Sequence, residues 1–108
     1  MKTKDDTVEM ELHPILMGFL FHADAMYRLK GGDLIITSGS EQSPVHGYTS
    51  LHYAIPGCAA DVRNWDRVDW ASSQQYEDIK SLANIYCAGH ILLLPYDIDV
   101  VLEKDHVH

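Results

Sequence analysis

Residues 12–39, LHPILMGFLFHADAMYRLKGGDLIITSG, change their hydrophobic period partway and so decide the class of fold. Leu12, Ile15, Leu16, Phe19, Ala23 and Met26 recur at helical spacing. Pro14 suits a first turn and Gly31-Gly32 a stop, which predicts a helix over about 11–29. Asp33-Leu34-Ile35-Ile36-Thr37 is short, β-branched and bounded by glycine and serine, the mark of a buried strand. Residues 38–48 hold Ser, Gly, Ser, Pro and Gly and read as a loop.

The rest of the chain extends this pattern. Ala59-Ala60-Asp61-Val62-Arg63 reads as a second strand, carrying Asp61. Ser72 or Ser73 can cap a second helix over about 73–88, with Tyr76, Ile79, Leu82, Ala83 and Tyr86 as its apolar stripe and Gly89 as its end. Residues 91–94 and 97–102 read as two further strands separated by Pro95-Tyr96. Residues 1–9 are polar and charged and are expected to form a flexible N-terminus ahead of a single domain over 10–108. Two main helices on one face of a small, largely antiparallel sheet make an α+β domain.

Composition excludes several functions. The 108 residues carry eight Lys+Arg against sixteen Asp+Glu, a net charge of −8, so the chain lacks the basic clusters that hold nucleic acid or an anionic bilayer. The apolar run over residues 15–21 is broken by Gly18 and falls far short of the roughly 20 residues that span a bilayer. No secretory signal follows Met1, and a cytoplasmic monomer is the expectation. Cys58 and Cys87 are too few for a disulfide scaffold and are expected to be small buried thiols. Of the seven histidines, His13, His22 and His90 lie in or at helices, where capping or surface roles suffice. His46, His52, His106 and His108 fall in polar or glycine-rich segments, where binding residues are displayed.

A zinc hydrolase needs three protein ligands and an open fourth position. His52, Asp61 and one of His106 and His108 would supply two imidazoles and a carboxylate, while Asp105 and Glu103 are candidates for the acid–base carboxylate. A terminal His-x-His also fits a solvated tail. Trp65 and Trp70 fit packing over a sheet edge or the wall of a substrate groove. Arg63 and Arg67 fit ion pairs with Asp66 or Asp69, or contact with a peptide carboxylate.

The segment Ser50-Leu51-His52-Tyr53 with Gly57-Cys58-Ala59-Ala60-Asp61 resembles the Ser-x-His and Gly-x-Ala-x-Asp signature of the D-alanyl-D-alanine carboxypeptidase/dipeptidase family of zinc peptidases, whose fold is shared with the hedgehog signalling domain. Ile35-Ile36-Thr37-Ser38-Gly39 is similar to the strand and turn entering the family's site. The stretch from Val100 to His108 resembles the closing strand of phage-encoded members. The resemblance runs from about Leu12 to the end. It implies a hedgehog/DD-peptidase-like fold and an endolysin-like zinc (Zn2+) metallopeptidase that cuts peptidoglycan stem peptides, as a D-Ala-D-Ala carboxypeptidase or an L-Ala-D-Glu endopeptidase. A phage lysis enzyme of this kind would reach the cell wall by a separate release route.

Carried over by residue, the resemblance implies metal ligands at His52, Asp61 and His108 and an acid–base role for Asp105, with Glu103 as its substitute. His106 and His46 would stabilise the developing oxyanion. With His106 as ligand instead, Glu103-x-x-His106 restores the same spacing. Two departures stand out. Ser40-Glu41 replaces the arginine that the family commonly carries after Ser-Gly, leaving His46 or Arg63 to substitute, and Ala54-Ile55-Pro56 lengthens the turn after His52. The missing arginine motivates the alternative of a non-catalytic metal-binding module, hedgehog-like or part of a phage particle.

Overall fold

The computed structural model describes residues 1–41, 57–89, 98, 100–102 and 106–108. In chain order these contain β1 (Lys2–Thr3), α1 (Pro14–Leu29), β2 (Ile35–Ser38), β3 (Asp61–Arg63), α2 (Ser72–Gly89) and β4 (His106–Val107), an α+β arrangement. The strands form one sheet in the order β1-β2-β3-β4. β1 runs parallel to β2, whereas the other two pairings are antiparallel, so the sheet is mixed.

Local chemistry sets the limits of α1. Pro14 occupies the first turn, where its missing N–H costs nothing, and His13 caps it: the His13 Nδ1 accepts the Ile15 N–H at 3.2 Å. At the other end Gly31 takes φ +99°, a conformation open to glycine, and the Gly31 and Gly32 N–H groups close on the Arg28 and Tyr27 carbonyls. The cap of α2 is different from the serine expected. Its first N–H, on Ser72, donates 2.7 Å to the Asp66 carboxylate, which reaches back across six residues.

Strand register divides the sheet into two faces. Ile36 pairs with Val62 and Val62 with Val107, and these buried side chains join Phe19, Leu20, Ala23 and Tyr27 of α1 and Ile79 and Ala83 of α2 in one core. Each of the larger aliphatic and aromatic side chains among them contributes about 1.5–3 kcal/mol on full burial. Alternation along a strand sends Asp61, Arg63 and His106 to the opposite face.

Residues 1–9 include a structural element where a flexible segment was expected. The Lys2 N–H donates to the Leu34 carbonyl (2.8 Å) and the Lys4 N–H to that of Ile36 (2.9 Å). Backbone pairing needs no apolar side chain, so polar composition hid the strand. The Met1 ammonium lies 2.9 Å from Asp24, a residue only 6% exposed that also accepts the Leu34 N–H at 3.1 Å. Burial opposes ionisation of Asp24, but the Met1 ammonium, the Leu34 amide and Arg28 outweigh it and hold its carboxyl below the ordinary range. Asp24→Ala is therefore expected to cost about 3 kcal/mol in urea unfolding at neutral pH. Because the folded pKa is depressed, this stabilisation is complete above the unfolded carboxyl's pKa of about 4 and is lost as pH falls through the folded value. Parent and variant should therefore converge in strong acid.

Three other expectations meet the structure here. Cys58 is exposed and Cys87 partly buried, so neither is the buried thiol predicted. The strand at 91–94 lies outside the described residues, as do 42–48 of the loop. Of 97–102, residues 97 and 99 also lie outside the described residues; Val101 exchanges both backbone hydrogen bonds with His108 (3.0 and 2.8 Å) and Leu102 bridges Val107 antiparallel, so these two residues flank β4. No helix among the described residues is long and apolar enough to cross a membrane.

Candidate functional site

The antiparallel pairing of β3 with β4 brings together residues 47 apart in sequence. His108 Nδ1 lies 2.7 Å from Asp61 Oδ1, and His106 Nε2 lies 3.7 Å from the same oxygen. A carboxylate only accepts, so in this arrangement the Nδ1–H of His108 donates. Arg63 faces His106 across the pair, in register with it. A carboxylate, two imidazoles and a guanidinium thus share the face of the sheet turned away from the core.

Imidazole and carboxylate are donor types that zinc accepts, but ligand atoms on a tetrahedral ion lie roughly 3.3 Å apart, so the 2.7 Å contact of His108 with Asp61 is a hydrogen bond and a metal held by both would have to part them. Among the described residues no three His, Cys, Asp or Glu side chains already form a metal-binding group. Asp61 and His108 offer two donors with His106 close by. His46, His52, Glu103 and Asp105, expected respectively at the oxyanion, at the metal and in acid–base work, lie outside the described residues.

The turn that follows β2 gives Glu41 a structural task. Ser38 pairs in register with Asp61 at the end of β2, with an irregularity at Thr37. Just beyond, the Glu41 carboxylate accepts from Ser38 Oγ (2.7 Å), from the Gly39 N–H (2.7 Å) and from the Glu9 N–H (3.3 Å). Burial opposes its charge, but these donors prevail and keep its pKa below the ordinary value. Gly39 is required here, because a Cβ would run into the Glu9 carbonyl. Glu41 is therefore a brace that ties the turn to the segment before α1.

A cavity of about 310 Å³ opens between α1 and the end of the sheet, with Leu16, Phe19, Ile79 and Val107 in its walls and His13, Cys58 and His108 among its polar lining. His108 thus belongs both to the Asp61 cluster and to an apolar hollow able to take an aliphatic group.

The two tryptophans divide between the roles weighed for them. Trp70 is buried, its Nε1–H donating to Asp78 (2.8 Å) and its ring 4.6 Å from that of Tyr27. Trp65 is 61% exposed, with the Arg63 guanidinium 4.1 Å from its ring centre. The arginines separate likewise. Arg67 donates to the Asp33 carbonyl (2.9 Å) and stacks on Tyr27, and neither arginine is paired with Asp66 or Asp69. Comparison of the chain with protein-family models, with curated proteins and with solved structures gave no match.

Proposed function

We propose that the chain is a zinc-dependent peptidase of the D-alanyl-D-alanine carboxypeptidase/dipeptidase type, with a hedgehog/DD-peptidase-like fold, acting on peptidoglycan stem peptides. The observation that carries this reading is the 2.7 Å approach of His108 to Asp61, two of the three residues that the motif resemblance assigns to the ion. His52, Asp61 and His108 would hold the metal. Of the two terminal imidazoles, His108 stands closer to the carboxylate by 1.0 Å (3.7 against 2.7 Å), which favours it as the third ligand.

When bound, zinc would polarise a peptide carbonyl and acidify water. Asp105, with Glu103 as substitute, would take a proton from the attacking water and pass it to the leaving amine. His106, on the same face as Asp61, would donate a hydrogen bond to the oxygen that gains charge, with His46 in support. The apolar cavity beside His108 would receive a small aliphatic side chain while excluding water.

The test is zinc content together with new amino termini released from purified peptidoglycan. One bound zinc and steady release are expected, with Asp105→Ala or Glu103→Ala slowing release about 10²-fold or more while zinc is retained. Zinc bound without any cleavage by the parent protein would favour the non-catalytic metal-binding module that the missing arginine suggests. Unchanged zinc content in His52→Ala would sink both readings.

A further inference from the structure

We infer that Glu41 is a positioning residue for the candidate site: by holding a bulge in β2 it aims the Asp61 carboxylate at His108. This rests on the reading of Asp61 and His108 as metal ligands. β2 and β3 fall out of step by one residue beside Asp61. Ile36 pairs with Val62, but Asp61 pairs with Ser38 rather than Thr37, so Thr37 and Ser38 together face one residue of β3. A bulge of this kind bends its strand, raises the local twist and re-aims the side chains next to it. Asp61 sits at the kink. Its backbone carbonyl accepts from Thr37 Oγ1 at 3.3 Å on the β2 side, while its carboxylate reaches His108 at 2.7 Å on the β4 side.

A slip of one residue would restore the regular Thr37–Asp61 pairing, so the bulge needs an anchor. Glu41 supplies it. Its carboxylate accepts from Ser38 Oγ and from the Gly39 N–H, both at 2.7 Å and both at the exit of the bulge, and from the Glu9 N–H at 3.3 Å. Burial opposes the charge on Glu41, but these donors outweigh it, so the side chain stays an acceptor at neutral pH. The segment to which Glu41 ties the bulge also fixes the approach to β3. The Ser40 N–H donates to the Glu9 carbonyl, the Gly57 N–H to that of Glu11 and the His13 N–H to that of Gly57, each at 2.8 Å. Gly57 stands four residues before Asp61. Residues 9–13 therefore grip the chain on both sides of Asp61, and Glu41 transmits that grip to the bulge.

Two readouts test this, zinc affinity by chelator competition and the nitrogen NMR shifts of the His108 ring in metal-free protein at about pH 9, where a neutral imidazole reports its tautomer. Glu41→Ala is expected to weaken zinc binding about tenfold or more and to move His108 from the Nδ1–H tautomer that Asp61 selects toward Nε2–H. Glu41→Gln keeps the shape and one acceptor oxygen and should recover most of both. Tyr27→Phe, which lowers stability through the core, should change neither. Folded Glu41→Ala with the parent's zinc affinity or tautomer overturns the proposal, as does an equal loss in Tyr27→Phe. If urea unfolding shows that Glu41→Ala does not fold, Thr37→Val decides: removing the donor to the Asp61 carbonyl should weaken zinc about threefold and shift the tautomer, and a parent-like result overturns the proposal. If the parent binds zinc and folded Glu41→Ala matches it, only the positioning role falls. If the parent binds no zinc, the metal reading falls and the tautomer alone decides the role of Glu41.

Discussion

Replacing Tyr27 by alanine is expected to remove about 4 kcal/mol of stability, a large part of the roughly 5–15 kcal/mol that holds a domain together. The ring is fully buried, meets Trp70 edge-on at 4.6 Å and carries the Arg67 guanidinium 4.8 Å from its centre. Its hydroxyl donates to Gln75 Oε1 (3.1 Å), and Gln75 Nε2 donates to the Trp65 and Trp70 carbonyls (2.7 and 3.0 Å). Truncation thus opens a cavity and also loosens the staple that fixes the 65–70 turn, which presents Trp65 to Arg63. Tyr27→Phe should cost about 1–2 kcal/mol, because it strands only the buried Gln75 oxygen.

The same residue sets an alkaline limit. Burial pushes the Tyr27 phenol up to about 12. Its folded pKa therefore exceeds the unfolded value near 10, and the stabilisation is whole below about pH 10 and lost between there and 12. Urea midpoints of parent and Tyr27→Phe should accordingly draw together over that range. A Tyr27→Ala protein within about 1 kcal/mol of the parent would show that the core does not turn on this residue.

The second large effect concerns zinc. If the proposed zinc site is right, Asp61→Asn and His108→Ala should each weaken zinc binding about 10³-fold, since one ligand of a site worth roughly 10–16 kcal/mol would supply about 4 kcal/mol. His106→Ala should cost about tenfold or less, because its Nε2 stands 3.7 Å from the shared oxygen rather than 2.7 Å. Asparagine at 61 keeps an oxygen for the His108 Nδ1–H, so the metal-free fold is preserved and the loss is one of affinity. The readout is the rise in unfolding free energy on adding zinc, about 4 kcal/mol for the parent at a thousandfold excess over Kd and close to none for the two strong variants. A larger loss in His106→Ala than in His108→Ala would exchange their roles and favour the Glu103-x-x-His106 register.

Helix α1 was legible because each of its signals is local. The three- and four-residue spacing, Pro14 at the start and Gly31 at the end require no knowledge of distant residues, and the observed Pro14–Leu29 lies inside the predicted span. α2 was legible in extent, but its cap was not. Ser72 and Ser73 offered the usual chemistry, yet Asp66 took the N–H because the turn through Asp69, at φ +61°, folds that carboxylate back onto the helix start. β1 escaped notice because two exposed residues paired through their backbone leave no hydrophobic pattern. Trp65 and Trp70 are identical in chemistry, and only the position of Gln75 and Tyr27 buries one and leaves the other beside Arg63.

By itself the amino-acid sequence determined the two helices, the strands that hold Ile36 and Val62, the α+β class and the identity of Asp61 and the terminal histidines as chemical candidates, since period, caps and residue chemistry are properties of short segments. Tertiary structure alone decided that Asp61 meets His108 at 2.7 Å and that Arg63 stands over Trp65. The physical reason is strand register. The Val62–Val107 pairing turns the polar side chains to a common face, and a slip of one residue in β4 would send His106 and His108 into the core and Val107 out of it.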